Sequence, residues 1–296
     1  MLVYLNGQFL DKSKANLSVE DRGFVFGDGV YEVWRVVQGS LFESDRHFDR
    51  LQRGLRELRI APPAETTLER LEEIGARLLR DNDLLDGDAT LYLEITRGAA
   101  PRTHHFPPAG TTPTVYATVK RFVPPEDLRA SGVRAITVPD IRWLRCDIKT
   151  VQLLPNVLAN EQAHASGAFD AIFVRDDVVT ESTHASVFGV LDGVLRTHPA
   201  NHLVLPGITR EVILEIAREL GLPVREDAIP AREIPRLDEL FLTGTTTDVT
   251  PIVQLDGMRI GNGVPGPISL RLYGALRERL YGATSASGSP SARSAR

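Results

Sequence analysis

The chain has 296 residues, of which 42% are hydrophobic and 25% charged, with a formal net charge of -5. This is the composition of a globular protein of one large domain or two medium ones. The negative balance argues against nucleic acid as the main partner, and no segment approaches the roughly 20 apolar residues needed to cross a bilayer.

The opening MLVYLNGQFL has no basic flank and no small-residue cleavage site, so it reads as a first strand rather than a signal peptide. Asn6-Gly7 between its apolar halves marks a hairpin turn. A second extended run covers 30–37. Phe48, Leu51, Leu55 and Leu58 then share a helical face, with Asp45 as the expected N-cap and Pro62-Pro63 as the stop. Leu68, Leu71, Ile74 and Leu78 mark a second helix, and Leu91, Leu93 and Ile95 alternate as a strand. A long loop, RGAAPRTHHFPPAGTTP, leads to a strand at 114–119. Loops of that length in compact domains tend to carry function or disorder.

Pro124-Pro125 punctuates a linker at 122–126, which divides the chain into an N-terminal domain, 1–121, and a C-terminal domain, 127–282. The second domain is rich in short strands, among them 133–138, 171–174, 178–179, 187–191 and 194–195. Helices are expected at 156–166, at 209–220 with Thr209 as N-cap, and from 268 to about 281. Residues 283–296 hold, apart from Pro290, no apolar side chain larger than alanine and read as a disordered tail. Strands and helices mixed in two units make the fold class α+β.

Lysine and arginine together number 34, yet only four are lysines: Lys12, Lys14, Lys120 and Lys149. A chain that uses arginine wherever a positive charge suffices draws attention to each lysine it keeps. Lys149 sits among Trp143, Leu144, Ile148, Val151 and Leu153, where an amine can be desolvated and act as a neutral nucleophile; arginine cannot do this. The alternative is a surface lysine on a half-buried strand. Pro206-Gly207-Ile208-Thr209-Arg210 opens a helix and offers free N–H groups to a phosphate, although every capped helix shares that feature. The run Thr243–Thr247 is a second candidate cup. Arg50 is one of five arginines in DRHFDRLQRGLRELR, and composition does not single it out. Arg102 and His104 lie two apart in the long loop, on one side of an extended chain. Glu181 follows the run 178–180 and matters only if a cation needs it. There is no cysteine-pair or HExxH metal motif, no GxSxG elbow, no Walker A loop and no dinucleotide fingerprint. No metal is expected. The single cysteine, Cys146, cannot form an internal disulfide and fits a reducing cytoplasm.

Several segments resemble the fold-type IV pyridoxal-phosphate enzymes, the class IV aminotransferases. They are EDRGFVFGDGVYEV (20–33), HFDRL (47–51), TRGAAPRTHHFP (96–107), DIRWLRCDIKTVQLL (140–154), VTESTHASVFGV (179–190), THPANHLVLPGITR (197–210) and DELFLTGTTTDVTPI (238–252). The resemblance covers nearly the whole chain in the family's order and is closest to the members that act on D-amino acids. It implies a smaller N-terminal α/β sandwich domain and a larger C-terminal domain with a β-barrel-like core. It further implies a PLP-dependent D-amino-acid:2-oxo-acid aminotransferase, binding pyridoxal 5'-phosphate and acting as a homodimer on small amino and oxo acids. Lys149 matches the lysine that carries the cofactor as a Schiff base, and Glu181 the carboxylate facing the pyridine nitrogen. Arg50, Ile208, Thr209, Gly244 and Thr245 match the phosphate cup, and Leu205 the residue packed on the ring. Tyr31, Arg102 and His104 match the trio that binds the substrate α-carboxylate, the Arg-His loop coming from the partner subunit. Glu32 resembles a supporting acid. Ser182, Ala185, Ser186 and Gly244 depart from the family's usual residues. Within the same superfamily, the alternatives are an (R)-amine transaminase, a branched-chain L-aminotransferase and an aminodeoxychorismate lyase. Outside enzymology, the alternative is a pyridoxal-phosphate-binding protein without transaminase activity.

Overall fold

The computed structural model describes residues 1–64 and 66–282. The tail expected from 283 onward lies outside the described residues. The first sheet contains β1 (Leu2–Leu5), β2 (Gln8–Asp11), β3 (Gly29–Val37), β4 (Ser40–Leu41), β5 (Asp88–Thr96) and β6 (Thr114–Arg121). They are ordered β2-β1-β6-β5-β3-β4 and every pairing is antiparallel. The expected Asn6-Gly7 hairpin is present. Both residues have positive φ, 47° and 85°, the geometry whose twist matches the strands it joins. Three helices accompany this sheet: α1 (Arg22–Phe26), α2 (Ser44–Leu58) and α3 (Leu68–Asp81). Leu51 and Leu55 of α2 and Leu71, Ile74 and Leu78 of α3 are buried with Trp34, Leu91 and Leu93 of the sheet. Each such side chain contributes about 1.5–3 kcal/mol by leaving water. Asp45 does not cap α2. Glu43, in the left-handed region, precedes the helix without a side-chain cap, and Asp45 lies in the first turn, where its charge still complements the helix dipole.

The second sheet contains β7 (Val133–Pro139), β8 (Asp170–Arg175), β9 (Val178–Ser182), β10 (Ser186–Leu191), β11 (Val194–Thr197), β12 (Val224–Arg225), β13 (Glu239–Gly244), β14 (Asp248–Leu255) and β15 (Met258–Arg259). Its order is β12-β11-β10-β13-β14-β7-β8-β9, with β15 on β14. The sheet curls into a half-barrel, the larger domain's barrel-like core, and a tight turn, in which the Ser182 N–H donates to the Ala185 carbonyl at 2.8 Å, leads from β9 into β10. Four helices flank it: α4 (Glu126–Ser131), α5 (Leu154–Ala165), α6 (Ile208–Glu219) and α7 (Pro267–Tyr281). Both faces of the sheet are buried. Phe188 and Phe241 stack with ring centroids 5.3 Å apart on the side of α6 and α7, while Val187, Leu240 and Leu242 pack on the other side. Central strands with two buried faces read as continuous apolar runs, which hides their alternation.

Several expectations shift. Helix α4 begins at Glu126, inside the expected linker. Helix α5 starts at Leu154, two residues early, because Pro155 suits the first helical turn, where no N–H is needed. Glu181 lies within β9 rather than after it. Thr209 is not the cap of α6; Gly207 is, and Thr209 is the second helical residue.

Candidate active site

A cavity of about 370 Å³ opens between the two sheets. The segment 140–153, with no regular structure, forms one wall and is pinned onto β3. The Tyr31 N–H donates to the Lys149 carbonyl at 3.0 Å, and the Val151 N–H to the Gly29 carbonyl at 3.1 Å. This pairing turns the Lys149 side chain into the cavity, its Nζ 4.2 Å from the centre of the Tyr31 ring. Among the described residues the amine has no hydrogen bond or ion pair. Of its apolar sequence neighbours, Trp143, Ile148 and Leu153 line the cavity with the half-buried amine, whereas Leu144 is exposed.

Glu181 lines the same cavity from β9 and is buried. Its carboxylate accepts from the Leu205 N–H at 3.2 and 3.1 Å and pairs with Arg142. Burial pushes the Glu181 carboxyl above its ordinary range, and Arg142 and the Leu205 amide oppose that push. Arg142 itself is buried and shared. It donates to both carboxylate oxygens of Asp140 at 2.9 and 2.8 Å and stacks 4.4 Å above the Phe173 ring. Sequence reasoning missed Arg142. Its signal was present, since it lies in the family-like segment 140–154, but one arginine among so many has no mark of its own.

One end of the cavity could hold an anion and is built from three pieces. Helix α6 opens at Gly207 with no side-chain cap, leaving its first N–H groups without intrahelical acceptors. A Cβ on Gly207 would meet Ser186 Oγ at 2.8 Å, so any side chain at 207 would displace that hydroxyl. Gly244 and Thr245 close the second side, and the nearby Thr243 hydroxyl is buried with no hydrogen-bond partner. Arg50 supplies the cation. Its Nε and Nη2 donate to Glu32 at 2.9 and 2.7 Å and its Nη1 to the Pro206 carbonyl at 2.9 Å, which leaves two of its five N–H groups for a ligand. Burial would raise Glu32, but the Arg50 guanidinium and His47 hold it well below the usual carboxylate range. Burial keeps His47 below its ordinary value, and its Nδ1 lies 3.0 Å from the Glu32 carboxylate, which can only accept. His47 is a second residue that sequence reasoning passed over.

All the predicted cofactor residues, Arg50, Lys149, Glu181, Leu205, Ile208, Thr209, Gly244 and Thr245, line this one cavity, together with Tyr31. Arg102 and His104 do not. They stand exposed on the loop 97–113, which is anchored beside α1. Of the departures, Ser182 Oγ donates to the Ala185 carbonyl and accepts from the Ala185 N–H, each at 3.0 Å, locking the turn. Thr183 commits its hydroxyl to the buried Asp170 rather than to the cavity.

A pyridoxal phosphate needs a dianion site, an amine, an anionic group for its ring nitrogen and an apolar wall. The unsatisfied Thr243 hydroxyl, the uncapped start of α6, the unpaired Lys149, the buried Glu181 and Leu205 meet those requirements. The family model described as amino-transferase class IV matches residues 29–255. The chain belongs to the class IV aminotransferases. Its cofactor is pyridoxal 5'-phosphate, the cofactor of that family. The aminotransferase is 40% identical over 289 residues to a D-alanine aminotransferase of Bacillus licheniformis, covering 96% of this chain and 99% of that one. A D-alanine aminotransferase of Staphylococcus haemolyticus is 40% identical over 270 residues, or 91% and 94% of the two chains. Among solved structures, the branched-chain amino acid aminotransferase of Escherichia coli superposes with a TM-score of 0.87 at 25% identity, over 97% and 96% of the chains. The branched-chain aminotransferase of the archaeon Thermoproteus uzoniensis, solved with norvaline, gives 0.84 at 28%, over 96% of each chain. Among the described residues of the aminotransferase, no helix is long and apolar enough to cross a membrane and no cluster could hold a metal ion.

Cys146 also lines the cavity, and burial pushes its thiol up to about 11. The aminotransferase is therefore expected to resist iodoacetamide at about pH 8, where the thiol is neutral, and to react faster as the pH approaches about 11. Mass spectrometry of the labelled protein checks this; complete labelling within minutes at the lower pH would contradict it.

Proposed function

We propose that this aminotransferase acts on D-amino acids, passing the amino group of a donor such as D-alanine to 2-oxoglutarate or pyruvate. The observation that carries the reading is the full-length match to D-alanine aminotransferases at 40% identity, against 25% and 28% for the branched-chain enzymes that share its fold. The bound cofactor supplies an electron sink and a carrier for the amino group. Lys149 Nζ takes the proton from the donor's Cα and later delivers one to the Cα of the acceptor. Glu181 presents its carboxylate to the ring nitrogen, and Arg142 opposes the pull of burial on that carboxylate. Arg50, the N–H groups of Ile208 and Thr209, and the Gly244-Thr245 turn hold the phosphate, while Leu205 packs on the ring.

Tyr31, Arg102 and His104 bind the substrate α-carboxylate and so choose which face of Cα meets Lys149. Because Arg102 and His104 lie outside the cavity of their own chain, the reading requires a homodimer in which they serve the partner's cavity. Exposed apolar side chains on the stretch 141–158, which includes the Lys149 wall, support such a contact: Ile141, Leu144, Leu154, Val157 and Leu158 are 56–68% exposed. We place the domain boundary at 122–126, where the chain leaves the first sheet, and the enzyme in the cytoplasm, which the free Cys146 supports.

Mixing the holoenzyme with D-alanine is expected to bleach the cofactor's visible band at least about 100-fold faster than L-alanine does, since a misplaced reacting atom costs about that factor. Equal or faster bleaching by the L-isomer would overturn the assignment. The same donors tested with a branched-chain L-amino acid separate this reading from that of the structural relatives.

A further inference from the structure

We propose that Phe26, backed by Arg22, is the platform that positions Arg102 and His104 for the substrate carboxylate. The proposal rests on the reading of those two residues as carboxylate ligands. The segment RGFVFGDG belongs to the sequence pattern that marks the family, yet Phe26 has no role in the site described above.

Helix α1 sits at the root of the loop 97–113. Arg22 on it is buried, donates through Nε to Asp28 at 2.8 Å and through Nη1 to the Thr103 carbonyl at 2.8 Å. Thr103 is the residue between Arg102 and His104. At the loop's stem, Arg97 grips the same Asp28 with Nε at 2.7 Å and Nη2 at 2.9 Å. One carboxylate therefore ties helix and loop together. Gly98 beside it has φ +92°, and a Cβ there would run into the Thr112 carbonyl, so the stem admits only this path.

The Phe26 ring is where these parts converge. Arg22 lies 4.7 Å and Arg102 5.3 Å from its centre, and the His104 ring centroid is 5.7 Å away at 46°. A guanidinium on an aromatic face is attracted by the ring quadrupole, and this contact uses none of its in-plane N–H donors. Among the described residues neither Arg102 nor the His104 ring has a hydrogen-bond or ion-pair partner. Their donors are held in place and left open. Both side chains are exposed and would otherwise sample many rotamers, freedom that each must lose on gripping a carboxylate. Restricting it beforehand raises affinity for the carboxylate without touching the reacting atoms. Phe26 is thus a positioning residue, acting through Arg102 and His104.

The test is steady-state kinetics of the holoenzyme with D-alanine and 2-oxoglutarate. Phe26→Leu keeps the apolar bulk and removes the π face. It is expected to raise KM for both substrates about 3- to 10-fold, with kcat within about 2-fold and bound cofactor per subunit unchanged. Phe26→Tyr, which retains the face, is expected to restore wild-type KM. Phe26→Met serves as a second variant should the leucine unsettle the loop, with melting temperature checking both. On an Arg102→Ala, His104→Ala background, Phe26→Leu is expected to add no further increase, since its effect runs through those side chains. If Arg102→Ala leaves KM unchanged, the carboxylate reading fails and the platform with it. If Arg102→Ala raises KM while Phe26→Leu and Phe26→Met do not, or if the losses simply add, only the platform is overturned.

Discussion

Replacing Lys149 by alanine is expected to lower transamination of D-alanine by at least about 10⁴-fold while the protein stays folded. The reason lies in the company Lys149 keeps. Arg50 is locked to Glu32 and Pro206, and Arg142 to Asp140 and Glu181. Lys149 is the cavity-lining amine that the described residues leave unpaired, and its Tyr31 contact is with a ring face rather than an acceptor. Lys149→Arg is expected to fail as completely, because a guanidinium cannot give up its proton near neutral pH. The check is turnover with D-alanine and 2-oxoglutarate, alongside the visible spectrum of the purified protein and its far-ultraviolet circular dichroism. Retention of more than about a hundredth of wild-type turnover by either variant would rule Lys149 out as the proton carrier.

The second large effect is expected at a residue whose role only the folded chain reveals. Arg142→Leu should destabilise the protein by about 3–5 kcal/mol, because it leaves the Glu181 carboxylate buried without its charge partner. Asp140 retains Arg175, whose Nη2 lies 2.9 Å from it, so the damage falls mainly on Glu181. Urea unfolding of the apoprotein measures the loss, and cofactor retention on dialysis should fall in parallel. Adding Glu181→Gln to Arg142→Leu is expected to recover much of the stability, since a neutral amide no longer needs the guanidinium, although activity stays low without the anion. A loss below about 1 kcal/mol in the single variant would mean that water or a neighbour compensates Glu181.

Much of the site was legible before the fold was known, and for a physical reason. A cofactor with a phosphate, a ring nitrogen and a reactive aldehyde needs particular residue types in fixed chain order, so Lys149, Glu181 and the two cup segments carry their identity in their flanking motifs. The helix starts were less legible. Thr209 looked like a cap, but the backbone is still extended at Gly207 and already helical from Ile208, which puts Thr209 inside α6. Asp45 is not the cap because Glu43, two residues before it and left-handed, precedes the helix instead.

Local sequence, then, determined what depends on neighbours along the chain: the Asn6-Gly7 hairpin, the apolar faces of α2, α3 and α6, and the motifs that place the chain in its family. Tertiary structure alone decided which charges meet. Arg50 became the useful arginine of its helix because Glu32, across on β3, binds it through two nitrogens and holds it out of solvent. Arg142 became the guard of Glu181 because β9 brings that carboxylate against it. Ion pairing in a buried site depends on distance and desolvation, and neither is written in chain order.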